Sequence, residues 1–341
     1  YRRQRQMCIR DRMKRIVFFN LKGGVGKSAT STAISHMMAK VFGKRVLLVD
    51  IDPQGNSSSI FSETDYFKLL TGQMKQRVSI QELLLDSEMD PHEGILKTKY
   101  ENLDVIPAYL SLAEAEETIK ADKVLPQQFK LKTQLDKLDE EYDYCIMDCS
   151  PSLSILNINA LVAGDEVYIP MGVDAGSIMG ARSVKNLVRM VKSYHPRLRI
   201  MGAFFTRYQQ GKEVSKQAVN IFKGIMQDIK LIPITIRNNK LVEESSWLQQ
   251  PLLELDEKRT GTATVDYLFL TKYILDIDKA ECTEKYFEYV EAEKELNRMK
   301  TLKSKKNSEK INEEQLKELK NLKKKYDGKK LKDFMNFGEE V

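Results

Sequence analysis

Lys27 and Ser28 close a glycine-rich stretch, Lys22-Gly23-Gly24-Val25-Gly26-Lys27-Ser28-Ala29, and that combination of residue types does phosphate chemistry. A lysine ammonium neutralises the outer oxygens of a polyphosphate. A serine hydroxyl is a ligand that a phosphate-bound Mg²⁺ takes. Glycines let the backbone aim several N–H groups at one spot, and a following helix adds the positive end of its dipole there. The standard phosphate-loop pattern has two glycines with four residues between them, then Lys and Ser or Thr. Here Leu21 stands where the first glycine belongs, and Lys22 supplies a second lysine five residues before Lys27.

Such a loop must be held between a strand and a helix, and the flanking residues predict both. Ile16-Val17-Phe18-Phe19 is a short apolar run of buried-strand type, and Ala33 to Ala39 reads as the body of a helix. A second apolar run, Val46 to Asp50, ends in a carboxylate and continues as Ile51-Asp52-Pro53-Gln54-Gly55-Asn56. A third, Tyr142 to Asp148, also ends in aspartate, followed by Cys149-Ser150-Pro151-Ser152. An aspartate at that strand end is placed to hold Mg²⁺ through water. Continuous apolar strands alternating with helices indicate a parallel sheet covered on both faces. Ligands bind beyond the carboxyl ends of such strands, where Asp50 and Asp52 fall.

The same alternation continues along the chain. Strands are expected at Leu103–Pro107, Glu166–Pro170, Ile200–Phe205 and Leu231–Pro233. Helices are expected at Ile80–Leu85, Leu110–Ile119, Pro126–Leu138, Ile155–Val162, Ile178–Val191, Val214–Met226, Arg237–Ser246 and Thr262–Leu275. The expected fold is α/β: one doubly wound, mostly parallel sheet spanning residues 13–278, with a charged helical tail over 279–341.

Composition narrows the setting. No uncharged run approaches the ~20 apolar residues of a membrane helix, and no apolar signal segment opens the chain. The cysteines Cys8, Cys145, Cys149 and Cys282 show no C-x-x-C spacing, which fits small buried thiols in a reduced cytoplasm. Of the formal net charge of +6, residues 1–12 carry +4 and residues 279–341 carry +3, leaving 13–278 at −1. Residues 1–12 lack periodicity and sit awkwardly before Met13, so they are expected to be a non-native or disordered leader. A basic DNA-binding arm is the alternative. Between Arg298 and Lys332 stand 14 basic and five acidic residues. Ile311, Leu316, Leu319, Leu322 and Tyr326 recur there at roughly helical spacing. A solvated helix or short coiled coil, a nucleic-acid contact and a partner-docking helix all fit this tail. A membrane-lying helix fits less well, because the apolar stripe is thin and lacks Trp.

Assembled, these motifs resemble the ParA/Soj group of deviant Walker ATPases, relatives of MinD. The resemblance runs from Lys22-Gly23-Gly24-Val25-Gly26-Lys27-Ser28 through Val46 to Asn56 and Tyr100 to Ala108. It continues through Tyr142 to Leu153, Asn157 and Asn159-Ala160-Leu161, with order and spacing kept over about residues 15–275. The charged tail lies outside it. The resemblance implies a P-loop ATPase with ATP and Mg²⁺ as cofactors. Lys27 and the loop amides of Gly23, Gly24, Val25, Gly26 and Ala29 would hold phosphates, and Ser28 would bind Mg²⁺. Lys22 would be the signature lysine that reaches a partner's nucleotide across an ATP-sandwiched homodimer. Asp52 would position the attacking water, and Asp50 and Asp148 would surround the Mg²⁺ shell. Thr206, Arg207 and Arg237 would lie near the base. Ser28-Ala29 replaces the usual Thr-Thr, and Cys149-Ser150 replaces a Thr-Pro or Ala-Pro pair; neither change removes a required ligand.

The function so implied is DNA partition of a plasmid or chromosome. An ATP dimer would bind DNA without sequence preference, and a ParB-like centromere-binding protein would stimulate slow hydrolysis, in the cytoplasm on the nucleoid. The chain begins almost at the loop strand, without a helix-turn-helix domain before it, which points to the small ParA type. Arg182, Lys185, Arg189 and Lys192 have helical spacing that could serve DNA or merely solvent. A MinD-like positioning ATPase at a membrane is the alternative reading. A metabolic or cluster-assembly member of the fold is a third, and the absence of paired cysteines disfavours iron–sulfur assembly.

Overall fold

Apolar runs without polar alternation become strands buried on both faces, and this chain places four of them at the centre of its sheet. The computed structural model describes residues 12–62, 68–69, 71–122, 126–275, 279–308 and 310–335. Residues 1–11, including Cys8 and most of the expected leader, lie outside the described residues.

The sheet strands are β1 (Lys14–Phe18), β2 (Val46–Asp50), β3 (Leu96–Lys97), β4 (Leu103–Ile106), β5 (Tyr144–Asp148), β6 (Glu166–Met171) and β7 (Arg199–Phe205), ordered β3-β4-β2-β5-β1-β6-β7. Every neighbouring pair runs parallel except β3 with β4, an antiparallel edge. β1 and β2 flank β5, so the exits of all three strands lie side by side. In register, Asp148 pairs with Phe18 on one side and with Asp50 on the other.

Among the described residues, the helices between strands are α1 (Lys27–Lys40), α2 (Asn56–Phe61), α3 (Ile80–Leu85), α4 (Leu112–Ala121), α5 (Lys130–Asp136), α6 (Ile155–Ala163) and α7 (Ala175–Val191), and α8 (Glu213–Ile225) comes after β7. They are followed by α9 (Lys240–Leu248), α10 (Leu252–Leu255) and α11 (Thr262–Leu275). A core cluster of Val17, Val49, Met147, Val167 and Phe205 joins the strands to residues of the flanking helices, such as Leu161 and Val184. Charged side chains are buried as well. The fully buried Arg15 donates to Asp139 at 2.6 Å and to Asp136 at 2.8 Å, which replaces the water it lost.

Two local expectations shift. Leu231 makes only an isolated bridge to Ala203: Ile232 N–H donates to the Ala203 carbonyl, but the next donor, to the Phe205 carbonyl, is Ile236 and not Ile234, so the register slips and no ladder forms. The helix expected from Arg237 begins at Lys240, since the Asn239 side chain accepts from Leu241 N–H and caps it there. Arg237 instead sits in extended chain, bridged to Tyr208.

The chain divides within α11, between Leu268 and Phe269, into two compact units. The second holds α12 (Lys279–Asn307) and α13 (Glu313–Lys325). Phe269 packs edge-on against Tyr286 and tilted against Tyr289, with centroids 5.4 and 5.7 Å away. A small cluster of Ala292, Leu296 and Tyr326, with Leu322 against it, closes the helix pair. Asn312 and Gln315 form a capping box at the start of α13. No helix among the described residues is long and apolar enough to cross a membrane.

Candidate functional site

The loop between β1 and α1 is shaped by residues on either side of it. Gly24 and Gly26 hold φ of 73° and 77°, the left-handed region that glycine enters without penalty. Asn20 anchors the loop's start. Its buried side-chain amide donates to the carbonyls of Pro170 (2.8 Å) and Ser177 (3.2 Å), while its oxygen accepts the Lys22 N–H at 3.0 Å. Gly180 of α7 permits this approach, since a Cβ there would stand 2.2 Å from that oxygen. Thr206 supports the loop's other end: its hydroxyl lies 2.9 Å from the Val25 carbonyl and 3.1 Å from that of Met171.

The two lysines of the loop occupy different environments. Lys27 is buried and its Nζ donates to the Lys22 carbonyl at 3.0 Å. Burial lowers its pKa, opposed by the charges of Asp148, Cys149 and Asp52. An anion at the loop would relieve that desolvation, so the position suits a phosphate. Lys22 has an exposed side chain, and a Cβ on Gly176 at the start of α7 would lie 3.8 Å from its Cε.

Behind the loop stand two buried carboxylates. Asp148 accepts from Ser57 (2.5 Å) and Ser31 (3.2 Å), with Ser28 near enough to oppose the rise of its pKa. Asp50 accepts from the Ser58 hydroxyl (2.7 Å), the Ser58 N–H (2.8 Å) and the Asp52 N–H (3.1 Å). Burial raises both pKa values, and for Asp50 the neighbouring Asp148 charge raises it further. Two such groups welcome a cation. Among the described residues no three His, Cys, Asp or Glu side chains converge as a metal cage. Mg²⁺ keeps much of its water and takes substrate phosphates, so two carboxylates and a serine hydroxyl fit it. Asp52 lies at the cleft's edge, nearly buried, accepting the Gln54 N–H at 3.0 Å.

A cleft of about 1010 Å³ runs from the loop past Asp52 to α9. The structure therefore brings Gly24, Gly26, Lys27, Ser28, Ala29, Asp52, Thr206, Arg207 and Arg237 to one cavity. Asp50 and Asp148 lie fully buried at the ends of β2 and β5, with Asp148 close to Ser28 of the cavity wall. Gly23 lies beside Pro151, while Val25 is buried under the loop. Arg207 is exposed at φ 51°, whereas Arg237 is tied to the buried Asp266 through Nε (2.9 Å) and a terminal nitrogen (2.8 Å). Sequence reasoning did not single out Asn20 and the serines Ser31, Ser57 and Ser58. The available signal was a run of small hydroxyl residues just after each phosphate-loop and strand-end motif.

The AAA domain family matches residues 13–200. The sporulation initiation inhibitor protein Soj of Bacillus subtilis (strain 168) is 34% identical over 265 residues, covering 76% of this chain and 98% of that protein. The chromosome partitioning protein ParA of Caulobacter vibrioides (strain NA1000 / CB15N) is 30% identical over 263 residues, covering 76% and 93%. Among solved structures, cobyrinic acid a,c-diamide synthase from Mycobacterium smegmatis, with a bound ATP analogue and magnesium, superposes with a TM-score of 0.64. It is 26% identical, covering 79% of this chain and 97% of that one. With a glycine cradle, a buried lysine and a serine–aspartate pair that fit ATP and Mg²⁺, the chain belongs to the ParA/Soj-type partition ATPases of the P-loop fold.

Proposed function

We propose that this ATPase segregates DNA as a nucleotide-dependent homodimer in which each copy's Lys22 serves the other copy's ATP. The observation that supports this is the division of labour between the loop lysines. Lys27 is buried with its Nζ on the Lys22 carbonyl, whereas the Lys22 side chain is exposed. An exposed ammonium on a phosphate loop has more to gain from a partner's polyphosphate than from solvent.

In this reading the loop N–H groups and Lys27 hold the β- and γ-phosphates, and Ser28 with Asp148 and Asp50 holds the Mg²⁺ shell. When bound, Mg²⁺ neutralises charge on the phosphate oxygens. Asp52 accepts a hydrogen bond from the attacking water and orients it in line with the leaving oxygen. Arg207, Arg237 and Thr206 border the base and ribose end. Hydrolysis removes the charge that Lys22 bridges, so the dimer dissociates. Exposed Arg182 and Arg189 of α7, with Lys192 after it, offer cations for DNA phosphates in the dimer, whereas Lys185 is already paired with Asp228. A ParB-like partner would accelerate turnover, and the protein would reside on the nucleoid.

The test is Lys22→Ala, followed by light scattering and ATP binding. The variant should bind ATP yet remain monomeric. A variant that dimerises with ATP like the parent protein defeats the cross-subunit role.

A further inference from the structure

The C-terminal unit segregates charge along its length. Residues 279–297 carry six acidic and three basic side chains, whereas 298–332 carry 14 basic and five acidic ones. A helix pair charged only for solubility would intersperse the two signs. Acidic groups that face the helix pair are also engaged. Glu318 forks with Arg298, both contacts at 2.9 Å, and Glu295 accepts from Lys325 at 2.6 Å. Lys317, Lys320 and Lys324 of α13, with Lys300, Lys303 and Lys306 of α12, are exposed and make no ion pair among the described residues.

What accompanies those lysines decides the partner. The leucines of α13 turn inward: Leu319 is buried, and Leu322 packs on the cluster of Ala292, Leu296 and Tyr326. Phe287 is the one strongly exposed large apolar side chain among the unit's described residues, and it lies in the acidic half. A helix lying on a membrane needs an apolar face to insert, and a protein partner is usually anchored by aromatic or apolar pockets. Neither accompanies the basic half. Lys317, Lys320 and Lys324 follow one another at i, i+3 and i+7, so they line one helix face over roughly 10 Å. Duplex DNA presents one charge per about 1.7 Å of axis, a repeating ladder that such a row meets without sequence choice.

We propose that the basic half of this unit, residues 298–332, binds nucleic-acid phosphates without nucleotide, as a second contact separate from the ATP-linked one. The inference does not rest on the dimer reading above. The test is fluorescence anisotropy of a mixed-sequence DNA duplex titrated with the full chain, without nucleotide, at increasing salt. The variant K317Q/K320Q/K324Q should bind at least about tenfold more weakly at low salt. Its log–log salt slope should fall by about 2.7 if all three lysines meet phosphate. K317R/K320R/K324R should restore binding, and helix content and basal ATP turnover should stay unchanged in both. Absent DNA binding without nucleotide, or a parental slope in the glutamine variant, overturns the proposal. So does lysine-dependent sedimentation with phosphatidylserine vesicles when DNA is not bound. ATP-stimulated DNA binding, followed in parallel, tests the partition reading separately, because it should persist in the glutamine variant.

Discussion

Asp50 and Asp148 face each other in register at the ends of adjacent strands β2 and β5, both fully buried, and Asp50 is held by backbone N–H groups besides a serine hydroxyl. Asp148 accepts from serine hydroxyls, which can rotate to accept in turn. Asp50 accepts from the N–H groups of Asp52 and Ser58, which cannot. Burial and mutual repulsion push the Asp50 carboxyl up to about 8. The pair is therefore poised to receive a cation, and isosteric amides should separate the two roles. Asp148→Asn keeps its hydrogen bonds and removes a repelling charge. It should match or exceed the parental Tm without nucleotide, yet lose most of the Mg²⁺-dependent gain in ATP affinity. Asp50→Asn turns an amide N–H toward a backbone N–H and should cost roughly 1–3 kcal/mol of stability. Equal Tm losses in the two variants would contradict this assignment.

Thr206 supports the phosphate loop from β7 through its contacts with the Val25 and Met171 carbonyls. Thr206→Val preserves shape and removes the hydroxyl. Stability should fall by about 1 kcal/mol. ATP affinity should fall more than that, because the amides following Val25 lose their fixed aim. Calorimetry with ATP and thermal melts on the same sample would check this. An affinity loss no larger than the stability loss would mean that the hydroxyl supports the fold alone.

Much of this site can be read in the chain because its parts are local. A run such as Val46 to Asp50 states both a buried strand and the carboxylate at its exit, and Gly24 to Ser28 states a turn entering a helix. The remaining parts depend on chain distance. Asn20 earns its place through Pro170 and Ser177, and Arg237 through Asp266 on α11. Ser57 is an ordinary small residue until β5 brings Asp148 to it. The antiparallel edge strand β3 is two residues long, too short for any periodicity to mark. Tertiary pairing, not propensity, selects these features.

His36 of α1 gives stability a pH dependence. It is buried between Phe61 and Tyr100, with ring centroids 6.3 and 4.6 Å away. Desolvation lowers its pKa to about 4, although Glu254 Oε1 lies 3.3 Å from Nε2 and opposes the shift. Lys40 shares that carboxylate. Below the ordinary histidine range near 6.5 the unfolded chain takes a proton that folded His36 refuses. Stability should therefore be complete above pH 6.5 and decline toward pH 4, by about 2 kcal/mol at pH 5 from this residue. His36→Leu should flatten that part of the decline between pH 7 and pH 5. An unchanged difference in chemical-denaturation free energy would show that His36 is protonated in the fold.

Trp247 is the chain's single tryptophan, 87% exposed, and lines the same cleft as Lys27 and Ser28 from its place on α9. Its backbone is fixed while its indole is open. The Ser245 hydroxyl donates to the Gln250 carbonyl at 2.6 Å, and Gln249 ends the helix at φ 51°. Intrinsic fluorescence thus reads one position, and emission without nucleotide should be that of a solvated indole. A nucleotide that fills the cleft toward α9 removes water from the ring and offers it a base to stack on. ATP and ADP should each quench or blue-shift the emission at protein concentrations where the chain is monomeric. Inorganic tripolyphosphate, which can occupy the loop but carries no base, should leave it unchanged. An ATP signal that appears only as the chain dimerises would instead place Trp247 against the second copy. No change with bound ATP, its binding followed independently by radiolabel, would show that the ligand stops short of α9.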